Sequence, residues 1–315
     1  MLVKLMVSQG ISNKGCVFKK ILSYEWYFRS MIFLENEYLK VGISVNGAEL
    51  KSIVKNGYEF MWQADENIWG RTAPILFPVV GKPFNNKLLI NGKIYPMTQH
   101  GFARDMIFEE FEKSKTRIVF RLVSNQQTLA IYPYVFDLRV SYTIKENSIE
   151  CGYEVRNRGN EMMFFSIGAH PGFNLPTKKL MDYFISFEQD ENDERFLLSD
   201  GLLNGKSESV FNKKKLIDLD VKLFNKDAIV IKNIHSKSIQ LKSKQNNFSI
   251  EMNIDAFPYF GIWGKQNCEE FICLEPWCGI AGSIGEQISF EQKEGINKLL
   301  PNDIFKRKYS IIFSN

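Results

Sequence analysis

The chain has 315 residues, of which 44% are hydrophobic and 24% charged, an ordinary globular composition long enough for one large domain or two. Its formal net charge of +4 sits within residues 1–30, where five basic groups meet one acid, leaving 35 charges of each sign over residues 31–315. With the body neutral, the basic balance says nothing for a nucleic-acid partner of the folded part; no apolar run is long enough to span a bilayer, and the opening segment lacks the unbroken apolar core of a signal peptide. A cytoplasmic protein with no membrane or nucleic-acid partner is expected. The five cysteines, Cys16, Cys151, Cys268, Cys273 and Cys278, suit reduced thiols. The last three recur every five residues, which alternates faces on a strand and does not converge on a zinc ion.

Residues 1–30 read as an extension upstream of a core domain over 31–315, because Met31 begins the first clean strand pattern. Met31–Leu34 and Tyr38–Val45 form a hairpin, and Asn46-Gly47 and Asn56-Gly57 turn the chain through two further strands to Trp62. Residues 63–86 are a long apolar connection rich in proline and glycine, a kind of loop that is uncommon unless it lines a site. Within it Arg71 needs a carboxylate or a polar ligand. Asn91-Gly92 joins the next hairpin, which runs into Gln99-His100-Gly101-Phe102-Ala103-Arg104. Met106–Glu112 pairs with Arg117–Val123, and Phe136–Ile144 with Ser148–Val155.

Phe164-Phe165-Ser166-Ile167-Gly168-Ala169-His170-Pro171-Gly172 organises the chain. An apolar run ends on a histidine held extended by the following proline, and Gly172 then permits a sharp turn, so one imidazole is aimed rigidly at a sheet rim. His100 has a similar frame at a strand end. Two such histidines point to a shared site, against the plainer reading of hydrogen-bonded structural imidazoles.

The acidic run over residues 188–194 reads as a solvated loop. Ala228–Lys232, Ser238–Lys242, Phe248–Ile254, Tyr259–Trp263, Phe271–Glu275, Gln287–Glu291 and Tyr309–Phe313 read as strands, with short helical turns at 125–132, 178–183 and 220–226. Glu275, followed by Pro276-Trp277, should close its strand beside an aromatic wall, where desolvation raises its pKa and makes it a competent base. A salt-bridged rim glutamate is the alternative. Gly279–Gly285 has neither a following helix nor a Lys-Ser/Thr pair, so it reads as a plain turn. With no repeat and no linker, these elements indicate one antiparallel all-β domain. His100, His170 and Glu275 could also make a two-histidine, one-carboxylate metal face, the less favoured reading.

Four ordered blocks, Gly70–Pro78, Gln99–Arg104, Gly168–Phe173 and Glu275-Pro276-Trp277, resemble the aldose 1-epimerase (galactose mutarotase) family, and within it the LacX-like branch. The resemblance runs from about Met31 to the C-terminus. It implies a single-domain β-supersandwich with few short helices, a small-molecule sugar substrate, and no metal or other cofactor. It also implies catalysis by Glu275 as general base and His170 as general acid, with His100 and Arg71 hydrogen-bonding ring hydroxyls and steadying the oxygen charge, and Asp227 as the candidate for the family's aspartate on the sugar hydroxyls. Arg104, with Arg71, would hold the phosphate of a hexose 6-phosphate; its alternative is a salt bridge to Asp105 or Glu109. A sugar-binding or sensing protein with weak turnover is the remaining alternative. Gly282 stands where many relatives keep an aspartate, which implies a looser loop beside Glu275.

Overall fold

Strict alternation builds the frame. Along the strand Phe136–Lys145, Leu138, Val140, Tyr142 and Ile144 enter the core while Arg139, Ser141 and Thr143 face outwards. Its partner Ser148–Asn157 pairs in one unbroken register, from Phe136 opposite Asn157 to Lys145 opposite Ser148. In the computed structural model, which describes residues 30–192 and 194–315, this hairpin belongs to a nine-stranded antiparallel sheet. Its order is 216–218, 183–187, 238–243, 249–253, 304–314, 148–157, 136–145, 117–123, 109–113.

An eight-stranded antiparallel sheet covers the other side of the core, in the order 202–208, 195–199, 229–232, 259–263, 271–278, 167–169, 75–76, with 172–174 also paired to 271–278. One hydrophobic cluster takes Leu138, Val140 and Ile149 from the first sheet and Ile262, Ile272 and Leu274 from the second. Each such side chain contributes about 1.5–3 kcal/mol on burial, so the two sheets are held as one sandwich. The opening meander, 31–35, 40–44, 50–55 and 58–59, forms the expected small sheet. Gln126–Ile131 is an α-helix with an Asn125–Thr128 capping box, and Leu180–Asp182 and Val221–Lys226 are 3-10 turns.

Two expectations fail. Gln287–Glu291 is not a strand: among the described residues no strand pairs with it, Ile288 is exposed, and the chain instead forms a 3-10 turn over Phe290–Gln292. The acidic run is not wholly solvated either. Glu191 is buried because its carboxylate accepts the otherwise unpaired backbone N–H groups of His235 and Ser236 at 2.9 and 2.8 Å. The expected extension lies, apart from Ser30, outside the described residues. Among the described residues no helix is long and apolar enough to cross a membrane.

Candidate active site

The strand Phe271–Cys278 sends Ile272, Leu274 and Cys278 into the core and turns Phe271, Cys273, Glu275 and Trp277 to the outer face of the eight-stranded sheet. Glu275 is therefore in mid-strand, paired with Gly261, rather than at the strand end that Pro276 suggested. The reason is local. Leu274 donates its N–H to the Pro171 carbonyl, so alternation turns the nitrogen of Pro276 towards the same side, where the neighbouring ladder is interrupted. A residue without a donor leaves nothing unpaired there.

That interruption positions His170. Gly168 lies opposite Trp277 and Gly172 opposite Cys273, so the segments 167–169 and 172–174 run along one line in the same register. Carrying the register through the gap sets His170 opposite Glu275, and His170 Nε2 lies 3.3 Å from Glu275 Oε2. Gly172 makes no turn. A Cβ there would come within 2.8 Å of the Trp69 ring, which stacks on His170 with centroids 5.0 Å apart; the glycine makes room for the indole. Trp277 depends on glycine in the same way. Side chains at Gly168 and Gly261, on the strands to either side, would come within 2.6 and 2.3 Å of its indole, which lies across both as the floor of the site.

His100 is not at a strand end. It occupies a left-handed turn with Gly101, φ 65° and 71°, and its N–H donates to the Gly81 carbonyl at 2.9 Å. Its Nδ1 accepts the Gly81 N–H at 3.2 Å, which leaves Nε2 as the protonated nitrogen, beside the Gln99 amide. The ring meets His170 edge to face at 5.5 Å. Arg71 bonds Asp105 at 2.8 Å; Arg104 donates to the Gln99 carbonyl at 2.7 Å, and its Nε lies 3.7 Å from Asp105. Glu109 instead neighbours Arg121, so of the two carboxylates considered for Arg104 only Asp105 is close. Asp227 ends the 3-10 turn Val221–Lys226 at φ 67°, ψ −157°, a conformation that costs a non-glycine residue roughly 1–3 kcal/mol, and accepts the Ala228 N–H at 2.8 Å.

All six residues singled out in the sequence, Glu275, His170, His100, Arg71, Asp227 and Arg104, line one cleft of about 300 Å³. Trp69, Trp263 and Trp277 line it too. Of these, Trp69 and Trp263 were missed, although both are aromatics beside recognised blocks: Trp69 immediately precedes Gly70-Arg71, and Trp263 ends the strand paired to Glu275's own. Burial, reinforced by the Asp227 carboxylate, pushes the Glu275 carboxyl well above the usual range. Burial also pushes His170 down to about 3, with Arg104 and Arg71 adding to the effect, and holds His100 neutral. Both shifts run the same way, favouring the protonated carboxyl and the neutral imidazole in the free cleft. Among the described residues, both oxygens of Glu275, Nδ1 of His170, Nε1 of Trp277 and Nε of Arg104 are buried without a hydrogen bond of ordinary geometry. Each such group costs about 1–3 kcal/mol until a ligand satisfies it.

The group able to hold a metal is not the His100–His170–Glu275 face, the less favoured alternative of the sequence. Among the described residues it is His170, Cys273 and Glu275, whose ligand atoms lie within 4.8 Å of one another. The loop beside Glu275 is not loose despite Gly282. Lys293, buried and pushed down to about 8 by desolvation, bonds the carbonyls of Ile280, Ala281 and Glu294, and Gly282 donates to Lys82 at 2.9 Å.

A family model described as Aldose 1-epimerase matches residues 30–292. Protein LacX (chromosomal) of Lactococcus lactis subsp. lactis is 35% identical over 297 residues, covering 90% of this chain and 99% of its own. The X-ray structure of a galactose mutarotase related enzyme from Lactobacillus acidophilus superposes with a TM-score of 0.87 at 34% identity, covering 90% of this chain and 97% of that one. A galactose mutarotase-like protein from Lactobacillus casei gives 0.85 at 30% identity, over 90% and 100%.

Proposed function

The chain belongs to the aldose 1-epimerase family, whose members are isomerase-type enzymes acting on sugars, and from that premise we propose that it interconverts the α and β anomers of a hexose by acid–base ring opening. The observation that carries this reading is the 3.3 Å approach of His170 and Glu275, in register on adjacent lines of one sheet, inside a cleft sized for a small molecule. Ring opening needs a base at the anomeric hydroxyl and an acid at the ring oxygen. Sugar hydroxyls entering the cleft hydrogen-bond the unpartnered Glu275 oxygens and favour the carboxylate, and the proton crosses to His170. Glu275 then takes the anomeric proton while His170 protonates the ring oxygen. The open aldehyde turns about its first carbon–carbon bond and recloses as the other anomer, with the two groups reversing roles. His100, an Nε2–H donor, steadies the oxygen charge; Arg71 and Asp227 hold hydroxyls, and Trp277 supplies an apolar surface for the ring. The steps so drawn call for no nucleotide or metal.

The test is anomer exchange followed by polarimetry or NMR on freshly dissolved glucose and galactose, with Glu275→Gln as the control. Exchange accelerated by the wild type and lost in the variant supports the reading; calorimetric binding of sugar with no acceleration supports a sugar-sensing protein instead. A second reading, a hexose 6-phosphate substrate, is favoured by Arg71 and Arg104 sharing the single carboxylate of Asp105 at the cleft. Two guanidiniums against one carboxylate leave a positive charge for a phosphate to meet. A kcat/KM for glucose 6-phosphate well above that for glucose, equalised by Arg104→Leu, would select it.

A further inference from the structure

We propose that the same cleft is an inhibitory site for a thiophilic divalent cation, zinc in particular, held by His170, Cys273 and Glu275. Cys273 lies two residues before Glu275 on one strand, so both side chains project from the same face. Opposite it, Gly172 presents no side chain; a Cβ there would already touch Cys273 Sγ at 3.3 Å. The thiol is thereby kept beside His170, and the three ligand atoms lie within 4.8 Å of one another.

Zinc bonds of about 2.0–2.3 Å set neighbouring ligand atoms roughly 3.3–3.6 Å apart around a tetrahedral ion. His170 Nε2 and Glu275 Oε2 already stand at 3.3 Å, so only the thiol has to close in, by about an ångström. An independent observation also points to a ligand here: Glu275 is 1% exposed, yet among the described residues neither of its oxygens makes a hydrogen bond of ordinary geometry. One nitrogen, one sulfur and one carboxylate oxygen suit zinc or cadmium and not magnesium, and the cleft leaves the fourth position to water. Binding releases the Cys273 thiol proton and the carboxyl proton to solvent. The bound ion occupies both groups of the proposed proton relay, so inhibition, though not binding, rests on the epimerase reading. Cys273 itself touches no atom in that reaction.

The experiment titrates chelator-treated full-length protein with Zn²⁺, Cd²⁺ and Mg²⁺, following binding by calorimetry and anomer exchange by NMR, and records the absorption of the Co²⁺ form. The expected results are one Zn²⁺ bound per chain, inhibition by Zn²⁺ and Cd²⁺ but not Mg²⁺, and a sulfur-to-cobalt charge-transfer band. Cys273→Ser should keep exchange within about threefold of wild type, lose the cobalt band, and bind Zn²⁺ at least about tenfold more weakly. Should the serine variant not fold, Cys273→Ala, which adds no polar atom to the core, replaces it. Unchanged Zn²⁺ affinity in the cysteine variant, a wild-type Co²⁺ form without the band, or exchange that rises with Zn²⁺ overturns the proposal. If no sugar tested is turned over, the calorimetry and the cobalt spectrum still decide whether the site binds, so the two readings fail separately.

Discussion

The outer faces of the two sheets carry polar groups in opposite conditions. On the nine-stranded sheet a hollow of about 720 Å³ is lined by Arg117, Arg139, Glu150, Glu154, Lys306 and Lys308 among others. Its two central carboxylates are matched: Glu150 bonds Lys145 and Lys308, each at 3.1 Å, and Glu154 meets Arg156 at 2.5 Å and Lys306 at 3.2 Å. At its edge Asp137 lies within reach of Arg121, Arg139 and Arg158. Burial raises its carboxyl, but Arg121 and Arg139 together outweigh this and hold it below the usual range. On the eight-stranded sheet the smaller cleft of about 300 Å³ leaves a buried carboxylic acid, an imidazole and an indole N–H unpartnered. Hollow size does not mark the site; unmet hydrogen-bonding capacity does.

The largest expected effect tests that contrast directly. Glu275→Gln should lower kcat for anomer exchange by about 10²–10⁴ while leaving thermal stability unchanged or raised, since it removes a carboxyl that burial keeps from ionising. An unimpaired variant would remove Glu275 from the chemistry. Next, Gly261→Ala should cost about 1–3 kcal/mol in urea unfolding and raise KM, because its methyl would lie 2.3 Å from the Trp277 ring and tip it. A stable variant with normal KM would show that the indole is not the floor used by substrate.

Acid titration sharpens the comparison through its sign. His170 is held at about 3, below its value near 6.5 in an unfolded chain, so the unfolded state binds the extra proton between those limits. It therefore withdraws stability as pH falls from about 6.5 towards 3. Asp137, also held below its unfolded value, gives up its contribution only once pH falls below the ordinary carboxylate range, near 4. His170→Gln should lessen the earlier loss, to which the equally buried His100 contributes in the same direction, and keep the later one, read from unfolding midpoints at stepped pH. With the imidazole titrating so low, kcat/KM should stay flat through pH 6.5; an acid limb there would contradict the assignment. The smallest effect is expected for Glu154→Gln, within about 1 kcal/mol and with normal exchange, because its pairs with Arg156 and Lys306 stay partly open to solvent, where ion pairs are worth little.

The frame was readable wherever turn chemistry and alternation agreed, as at Asn56-Gly57, Asn91-Gly92 and the 136–157 hairpin. The residues of the cleft were readable because each stands out locally: a histidine before proline, a carboxyl after an apolar run, an arginine in an apolar loop. Their arrangement was not. Pro276 looks like a strand end, and only the gap in the neighbouring ladder shows why it is tolerated inside one. His100-Gly101 imitates His170-Pro171-Gly172 in sequence, yet one is a left-handed turn and the other extended chain. Glycines that yield space to an indole, such as Gly168 and Gly172, are indistinguishable in sequence from glycines that turn the chain.

The ladder to 271–278 that breaks after Gly168 and resumes at Gly172 does so in phase, and this constrains how the segment can change. With a two-residue side-chain period, adding or deleting a single residue there would swing the imidazole into the hydrocarbon interior or expel Phe173 from it. Drift in this extended segment can proceed by exchange of side chains but not by a change of one in length.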